Sequence, residues 1–562
     1  MKPFFKDLWA LTKPFWTSSE KWKAYLLLAV IIGLNLGEVY LNVRFNYWNN
    51  DFYNSLQDMD QNGFWDGIML FSILATFYII VVVYKIYFRQ MLEVKWRRWM
   101  THDMLGRWMG DQAYYRLQVL GNPADNPDQR IADDAGQFIA LTLGLTLGLL
   151  SAVVTLFSFL GILWNLSGVI NVPFNGTTVA VHGYLVWVAL VYAIIGTAIT
   201  HWIGRPLVKL NFDQERFEAD FRFSLVRLRE NTESVAFYRG EQEELGTFRE
   251  RFAYVFDNFW QIMKRQKKLT WFTAGYGQIA IIFPYVVVAP GFFSGKLKLG
   301  DMMQTASAFG KVSDSLSFII DAYTSLAKWR AVIERLAGFT RSINAAQDTA
   351  ASSFKPQFSD NPAVDASGVT LSLPDGRVLQ QGIGFTVPAG GSLLIQGPSG
   401  SGKSTLLRAM AGIWPYAAGN INLPANSNAL FIPQKPYLPL GTLRHAMLYP
   451  KGSGATDDEL RAMLDLCRLP QLKERLDDVQ SWSHVLSVGE QQRIAFARAL
   501  LAKHDLLFLD EATSALDEDN ETYFYTLLRE RLPKATIISI GHRPSLRQWH
   551  NETLDLGRKK SA

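Results

Sequence analysis

The stretch that decides the fold of the second half of this chain reads Gly397-Pro398-Ser399-Gly400-Ser401-Gly402-Lys403-Ser404-Thr405. It follows the apolar run 392–396, and residues 405–411 continue in a pattern typical of a helix. A strand, a glycine-rich loop and a helix in this order form a phosphate-binding loop, because the glycines let backbone N–H groups converge on phosphate oxygens. All nine residues are therefore candidate nucleotide-binding residues. We expect Lys403 to reach the terminal phosphates and the Ser404 hydroxyl to bind Mg²⁺.

Acidic and polar residues at the ends of later apolar runs extend this site. Residues 506–510 predict a buried parallel strand that ends in Asp510, with Glu511 directly after it. We expect Asp510 to hold the hydration shell of Mg²⁺ and Glu511 to orient or deprotonate the attacking water. Gln434 follows the run 430–433 and is a candidate metal sensor, and His542 follows the run 536–541 and is a candidate γ-phosphate contact. A pair of surface acids fits poorly after so apolar a run.

A third element of the site lies far along the chain from the phosphate loop. The segment Leu486-Ser487-Val488-Gly489-Glu490 begins about 80 residues after the phosphate loop. One chain cannot easily bring this segment onto its own phosphate loop. The spacing therefore predicts two copies that clamp ATP between them.

The first half of the chain has the composition of a membrane domain. Of 562 residues, 49% are hydrophobic and 13% aromatic, while the mean hydropathy of +0.03 fits an average of one apolar and one ordinary half. A spanning helix needs about 20 apolar residues, and six stretches qualify or nearly do: 24–45, 67–88, 138–165, 183–204, 271–290 and 302–327. The net charge of +5 gives no reason to expect nucleic acid as a partner.

The charges beside the spans predict their orientation. The loop after the first span holds Asp51, Asp58 and Asp60 and no Lys or Arg, whereas the segments after the second and fourth spans are rich in both cations. Lys and Arg accumulate on the cytoplasmic side, so we expect both termini in the cytoplasm. Lysines among aromatic residues predict an amphipathic helix on the membrane surface at 1–22, with a disordered basic tail as the alternative.

The sixth span carries polar residues on one predicted helical face: Gln304, Ser307, Lys311, Asp314, Asp321 and Ser325. Charges in a membrane helix normally face protein or water, so we interpret this face as the lining of a water-filled pathway. The alternative is a Lys311–Asp314 pair that serves packing alone. Glu38 and His201 are weaker candidates. For each of them, a polar contact with a neighbouring helix is as good an explanation as contact with the cargo.

These observations together predict a multi-domain fold. We expect an amphipathic elbow helix at 1–22, an all-α six-helix transmembrane domain with long cytoplasmic extensions at 23–338, a polar linker at 339–365 and an α/β P-loop ATPase at 366–562.

The order of the motifs resembles the ATP-binding-cassette family. The phosphate loop, Gln434, Leu486 to Glu490, Asp510-Glu511, the segment Ser514-Ala515-Leu516-Asp517 and His542 follow one another as they do in that family. The resemblance implies that the motif Leu486 to Glu490 helps to bind nucleotide. It implies that Ser487 and Gly489 of this motif contact the γ-phosphate bound to the opposite subunit. It also implies that Asp517 helps to organise the dimer, and that the first 340 residues form an exporter-like (type IV) half-transporter.

Further segments resemble subfamily D transporters, which carry fatty-acyl-CoA in peroxisomes: Asn126 to Gln129, Glu230 to Tyr238 and Trp329 to Ala331. The SbmA/BacA peptide-uptake proteins have a similar membrane domain without the cassette, and bacterial YddA-type fusions have both parts and look most similar. Two positions depart from the family pattern. Val488 replaces a glycine of the Leu486–Glu490 motif, and Leu373 replaces the aromatic residue that stacks on adenine, which leaves the preference for ATP over GTP open.

The sequence therefore predicts a homodimeric, ATP-hydrolysing transporter of a bacterial inner membrane, with ATP and Mg²⁺ as cofactors. The charges at Lys311, Asp314 and Asp321 favour a small polar or amphipathic cargo, peptide-like or an acyl conjugate, and leave the direction of transport open. The competing hypothesis is a membrane-embedded sensor that uses ATP to gate a partner and moves nothing. A hydrolase acting on its cargo has little support, because the sequence offers no convincing catalytic triad or metal-ligand cluster.

Overall fold

The computed structural model describes residues 2–119, 126–167, 169–174, 177–450 and 454–557, and the chain divides into two compact units. The membrane unit comprises Met1–Gly106 and Asn126–Thr340. The cassette unit comprises Arg107–Asp125 and Arg341–Ala562.

The first 352 residues are almost entirely helical. In chain order the helices are α1 (Lys2–Trp16), α2 (Lys21–Gln57), α3 (Gln61–Met109), α4 (Ala113–Val119), α5 (Pro127–Gln129), α6 (Ala135–Ser167), α7 (Tyr184–Glu230), α8 (Thr232–Tyr238), α9 (Glu241–Phe293), α10 (Leu299–Asp321) and α11 (Tyr323–Ser352). A π-helical turn, Arg130–Asp134, joins α5 to α6. Strands β1 (Val169–Phe174) and β2 (Thr177–His182) form an antiparallel hairpin that the sequence analysis did not predict.

Within the described residues, five helical segments are long and apolar enough to cross a membrane: Lys21–Gln57, Gln61–Val119, Pro127–Ser167, Tyr184–Glu230 and Glu241–Phe293. Each overlaps one of the first five predicted spans. The sixth predicted span is helical with a break at Ala322, where α10 ends and α11 begins. Although α10 is more polar than the other five, it packs against α2, α6, α7 and α9 and completes the bundle.

The predicted cytoplasmic extensions are helical. Helices α7 and α9 contain 47 and 53 residues and are about 70 and 80 Å long at 1.5 Å per residue. They pack against each other, and the Asn258 amide of α9 donates to the Leu210 carbonyl oxygen (2.8 Å) and to Gln214 Oε1 (2.9 Å) of α7. The short helix α8 connects them.

The boundaries between the units differ from the expected ones. Helix α11 continues through the first half of the segment predicted as a linker, and the division falls at Thr340. The end of α3 and helix α4 group with the cassette unit, where Gln347 donates to the Arg107 carbonyl oxygen (3.2 Å) and Arg116 to Ser353 Oγ (3.0 Å). Hydropathy could not have revealed this grouping, because these contacts join residues about 240 positions apart.

The cassette unit contains the predicted α/β fold. Its strands are β3 (Gln357–Ser359), β4 (Val364–Ser372), β5 (Val378–Val387), β6 (Ser392–Gln396), β7 (Ala417–Pro424), β8 (Ala429–Ile432), β9 (Gly441–Thr442), β10 (Val479–Gln480), β11 (Leu506–Asp510), β12 (Thr536–Ile540) and β13 (Glu552–Asp555). Its helices are α12 (Lys403–Met410), α13 (Leu443–Leu448), α14 (Asp457–Leu466), α15 (Trp482–Val485), α16 (Val488–Leu501) and α17 (Glu518–Arg531).

One parallel sheet positions the candidate site. Its strand order is β13-β6-β12-β11-β8, and its three central strands are almost completely buried, as expected for parallel strands covered on both faces. All five strands run in the same direction, so the loops that follow β6, β8, β11 and β12 meet at one edge. A second sheet, in the order β3-β7-β4-β5, packs beside it.

Candidate active site

The phosphate loop begins where β6 ends. Gly402 caps α12 with φ at +93°, in the left-handed region that favours glycine. Pro398, Ser399 and Gly400 are exposed at the tip of the loop, whereas Thr405 lies in the core beneath it. The buried Lys403 ammonium donates to the Gly397 and Pro398 carbonyl oxygens at 2.9 and 3.0 Å, so its charge lies across the loop.

The acids at the end of β11 lie directly beside this loop. Ser404 Oγ donates to Asp510 Oδ1 at 3.0 Å, which brings the two predicted metal ligands together. Burial raises the pKa of the Asp510 carboxyl, with a further rise from neighbouring Glu511 and an opposing effect from the Ser404 hydrogen bond. A buried carboxylate and a hydroxyl are hard oxygen donors of the kind that Mg²⁺ prefers, so these two residues fit the ion.

Glu511 lies in a strained backbone position with its carboxylate held from two sides. Its φ is +48°, and its N–H donates to the Ile540 carbonyl oxygen at 3.1 Å. The Gln434 amide donates to Glu511 Oε2 at 3.0 Å, and His542 Nε2 lies 3.2 Å from Oε1. The loops after β8, β11 and β12 thus converge on one carboxylate, as a catalytic base requires.

Ser487 and Glu490 form the N-terminal cap of α16. The Ser487 hydroxyl accepts from the Glu490 N–H at 3.3 Å, and Glu490 Oε2 accepts from the Ser487 N–H and hydroxyl, each at 2.9 Å. Burial alone would raise the pKa of Glu490, but the hydrogen bonds from Ser487 and the nearby Arg493 bring it below its ordinary value. Asp517 caps α17 in the same way, accepting from the Asn520 N–H at 2.7 Å.

The sequence position that departs from the family pattern is open to solvent. The Val488 side chain is 46% exposed, so its extra bulk meets no neighbour that would displace the turn. By contrast, a Cβ at Gly489 would lie 3.1 Å from the Ala515 carbonyl oxygen, closer than most real Cβ contacts. Glycine is therefore needed at 489 and not at 488.

The structure thus divides the predicted site residues into two groups. The phosphate loop, Ser404, Gln434, Asp510, Glu511 and His542 lie together at the edge of the parallel sheet. The side chains of Ser487 and Asp517 instead bond within the first turns of their own helices, and Glu490 bonds to Ser487 and Gln471.

Contacts with a neighbouring helix account for two of the candidate residues in the membrane unit, Glu38 and Gln304. Glu38 of α2 pairs with Lys85 of α3, so it satisfies a neighbouring helix. On α10, Gln304 is buried and its side-chain oxygen accepts from Asn50 at 2.8 Å, so it serves packing and does not line a pathway. Asp314 and Asp321 are exposed, and Lys311 is half-buried near Asp314.

Comparison with known proteins identifies the family. The chain matches "ABC transporter transmembrane region 2" over residues 11–293 and "ABC transporter" over residues 380–514. It is 35% identical to the chloroplastic ABC transporter D family member 2 of Arabidopsis thaliana, over 99% of this chain and 86% of that protein. The chain belongs to the ABC transporter family.

One further relative agrees with this assignment, and one solved structure has the same fold. The ABC transporter ATP-binding protein YddA, of the Escherichia coli inner membrane, is 33% identical over 97% of this chain and 96% of its own length. The solved structure of a bacterial Atm1-family ABC exporter with ATP bound superposes with a TM-score of 0.75, covering 96% of this chain and 94% of that chain at 19% identity. The predicted fold class, the resemblance to D-family and YddA-type half-transporters and the ATPase activity of an ABC transporter are confirmed.

Two buried residues of this ABC transporter support the site and were missed by sequence reasoning. The Gln492 amide donates to the Gln434 carbonyl oxygen (2.9 Å) and accepts from the Ala515 N–H (3.1 Å). Glu521 accepts from Thr513 and Ser545, each at 2.7 Å, and so ties the loop after Glu511 to the loop after His542. Neither residue stands at a strand end or within a motif, so only the three-dimensional contacts reveal it.

Leu373 lies in the hairpin turn between β4 and β5. Its N–H donates to the Arg377 carbonyl oxygen at 2.8 Å, and its side chain packs against the core. An aliphatic side chain offers an adenine ring apolar contact but no π-stacking.

Proposed function

We propose that this ABC transporter is a homodimer that couples ATP hydrolysis to the movement of a polar or amphipathic cargo across a bacterial inner membrane. The observation that carries the proposal is the exposure of Asp314 and Asp321 on α10, a helix that packs among the membrane helices. Such carboxylates are costly in lipid and compatible with a water-filled pathway. The inner-membrane location of the similar YddA supports the proposed location, with both termini and the ATPase in the cytoplasm.

In the proposed cycle, each cassette binds ATP through the phosphate loop, where Ser404, Asp510 and Gln434 would hold Mg²⁺. The ion supplies charge neutralisation on the triphosphate when bound. Glu511 orients the attacking water and accepts its proton, while Gln434 and His542 hold the carboxylate in place. Ser487 and Gly489 of the second copy close the site over the γ-phosphate.

Cassette closure passes to the membrane helices through the segment around Asp128 and through α8, which carries Glu233. Helix α8 exposes Phe237 and Tyr238 at 79% and 85% of their surface, and exposed aromatic side chains of this kind mark interaction surfaces. Residues 122–125 of the first segment lie outside the described residues, whereas Asn126 to Arg130 form the start of the helix that leads into α6.

The experiment that tests the proposal is ATP-dependent uptake into proteoliposomes. The purified chain is reconstituted and offered labelled short peptides and acyl-CoA, and accumulation against a gradient is the expected result. Glu511→Gln is the matched control, because glutamine retains the size and a hydrogen bond to Gln434 but cannot accept the proton. We expect this variant to bind ATP and to turn over at least about tenfold more slowly.

The sensor hypothesis predicts a different result in the same vesicles. Ligands would stimulate hydrolysis by the unaltered chain without any accumulation, and that result would overturn the transport proposal. A double substitution, Lys311→Ala with Asp314→Ala, separates the two views of α10. If these residues line the pathway, the loss falls mainly on cargo-stimulated hydrolysis, whereas equal loss of basal hydrolysis or of folding favours packing alone.

A further inference from the structure

One face of α2 remains exposed from Leu26 to Asp51. Its members recur at steps of three and four residues: Leu26, Ala29, Gly33, Leu36, Tyr40, Arg44, Tyr47 and Asp51. The first four are apolar and suit lipid or a packed neighbour. The last four are aromatic or charged, so the face changes character about halfway along the helix.

Arg44 lies at the depth of the apolar part of the bundle. Its neighbour Phe45 contacts Phe71 and Tyr78 of α3, with ring centroids 5.9 Å apart in both cases. Both of these residues belong to the apolar stretch of that helix. Arg44 stands near the outer end of the apolar stretch of α2, where a guanidinium is unfavourable in hydrocarbon unless it reaches water or meets an anion.

The two other acids of α2 near Arg44, Glu38 and Asp51, do not pair with it in the part of the chain that the structure describes. Glu38 is engaged by Lys85, and it lies about 120° around α2 from Arg44 and about 9 Å along the helix axis. Asp51 lies on the same face about 10 Å further out, beyond the reach of a direct ion pair. Within the described residues, Arg44 makes no ion pair.

Hydrogen bonds between α2 and α10 fix the relative depth of the charges on the two helices. The Asn46 amide donates to the Gln304 carbonyl oxygen at 3.1 Å, and the helices run in opposite directions. The rise of 1.5 Å per residue gives the depth of each charge relative to this contact. Arg44 lies about 3 Å closer to the cytoplasmic side than Asn46, whereas Lys311 and Asp314 lie about 10 Å and about 15 Å closer to it than Gln304. Lys311 lies near Asp314, which offsets its charge. The charges are therefore positive at Arg44 and Lys311 and negative further in at Asp314, while Asp51 is negative further out.

We propose that Arg44, flanked by Tyr40 and Tyr47, binds the anionic group of the cargo. A guanidinium donates in a planar fork that matches carboxylate or phosphate, and the two tyrosines offer aromatic surface and hydroxyl donors on the same face. The cargo class is an amphipathic molecule with an anionic head, and this inference rests on the proposed transport function. Lipid headgroups and an acid of a second copy are the competing occupants.

The test uses N-octanoyl-alanyl-alanine and its C-terminal amide, which differ only in the anionic group. Cargo-stimulated ATP hydrolysis and uptake are both measured in phosphatidylcholine vesicles. We expect the unaltered chain to respond to the carboxylate at a concentration about tenfold below that of the amide, as one charge-assisted hydrogen bond would provide. Arg44→Ala should remove this preference, Arg44→Lys should retain part of it, and Arg44→Gln replaces the alanine variant if that variant does not assemble.

Lys296→Ala is the matched control, because Lys296 is an exposed cation at the outer end of the bundle and lies off this face. It should leave the preference unchanged. The proposal is overturned if carboxylate and amide act alike on the unaltered chain, including no response to either, or if Arg44→Ala retains the preference. It is also overturned if the preference requires added anionic lipid, or if Arg44→Ala separates the dimer, since these results assign Arg44 to headgroups or to the second copy.

The two readouts keep this inference distinct from the function on which it rests. ATP-driven uptake without a carboxylate preference refutes the role of Arg44 and leaves transport intact. Carboxylate-selective stimulation of hydrolysis without uptake refutes transport and supports Arg44 as the anion site of a sensor.

Discussion

A mixture of two inactive variants should regain activity if the nucleotide site is shared between two copies. Lys403→Ala removes the ammonium that lies across the phosphate loop. Ser487→Asp retains an oxygen that can accept from the Glu490 N–H and so cap α16, although it no longer donates to Glu490 Oε2. In a closed dimer it places a carboxylate beside the γ-phosphate. At about 4 Å and an effective dielectric constant of 20, that repulsion amounts to about 4 kcal/mol, or roughly a thousandfold loss.

The size of the recovery follows from counting sites. In an equal mixture about half of the dimers contain one copy of each variant, and each of these has one site with both changes and one with neither. About a quarter of all sites in the mixture are therefore intact, although each variant alone is inactive. Among mixed dimers selected through two different tags, about half of the sites are intact. The assay is ATP hydrolysis by co-expressed chains that carry two different affinity tags, purified over both columns.

A site completed within one chain makes the opposite prediction, because every chain in the mixture carries one damaging change. A doubly purified mixture as inactive as its parents would refute the reasoning. A dilute monomer with Ser487→Asp that hydrolyses ATP at the unaltered rate would also refute it. The expectation rests on the contacts of Ser487, whose hydroxyl bonds to Glu490 and, within the described residues, to no group of the phosphate loop.

Three further predictions concern stability and the metal site. Burial lowers the pKa of His550 to about 4, so as pH falls from 6.5 towards that value the unfolded chain binds a proton before the folded chain does. The free energy of unfolding, measured by urea titration, should therefore fall by about 3 kcal/mol over this pH range. His550→Gln should reduce this dependence on pH, whereas His445→Gln, a change of an exposed histidine, should not. A Cβ at Gly300 would clash with a backbone oxygen of α2, whereas one at Gly310 would meet nothing within 4 Å; Gly300→Ala should therefore lower the thermal midpoint by several degrees and Gly310→Ala should not. Asp510→Asn should abolish Mg²⁺-dependent hydrolysis yet preserve or raise the nucleotide-free midpoint in a melting assay, because it replaces a buried carboxyl whose pKa is raised.

The catalytic half of the site could be predicted from sequence because its residues stand where buried strands end. The apolar run before Asp510 predicts a parallel strand, and parallel strands deliver their following loops to one edge of the sheet. That rule brings Gln434, Asp510 and His542 together without any knowledge of contacts. It cannot reveal Gln492 or Glu521, which act from the interior of helices and are recognised only by what they touch.

The membrane unit shows the limit of periodicity as a guide to exposure. The polar face of α10 was predicted to line one pathway, yet the outermost member, Gln304, is buried against Asn50, whereas Asp314 and Asp321 are exposed. Spacing indicates which residues share a face, but the tilt of a helix against its neighbours decides how far along that face burial extends. Periodicity also did not indicate Arg44 as a candidate site residue, because a single cation near the end of an apolar span is usually attributed to the membrane interface.

Close packing at the outer end of the bundle has a consequence for how the cargo path could open. Two side chains of α2 accept hydrogen bonds from the start of α10: Asn54 Oδ1 accepts from the Gly300 N–H at 2.9 Å, and Gln57 Oε1 accepts from the Leu299 N–H at 2.6 Å. Beside them, Lys298 forms an ion pair with Asp58 at 2.6 Å. The bonds from Leu299 and Gly300 satisfy the first two N–H groups of α10, which otherwise have no partner within the helix. Separating the helices there would cost about 1 kcal/mol or more for each bond lost. Opening that keeps α2 and α10 together is therefore favoured, and it would carry Arg44 and Lys311 as one unit.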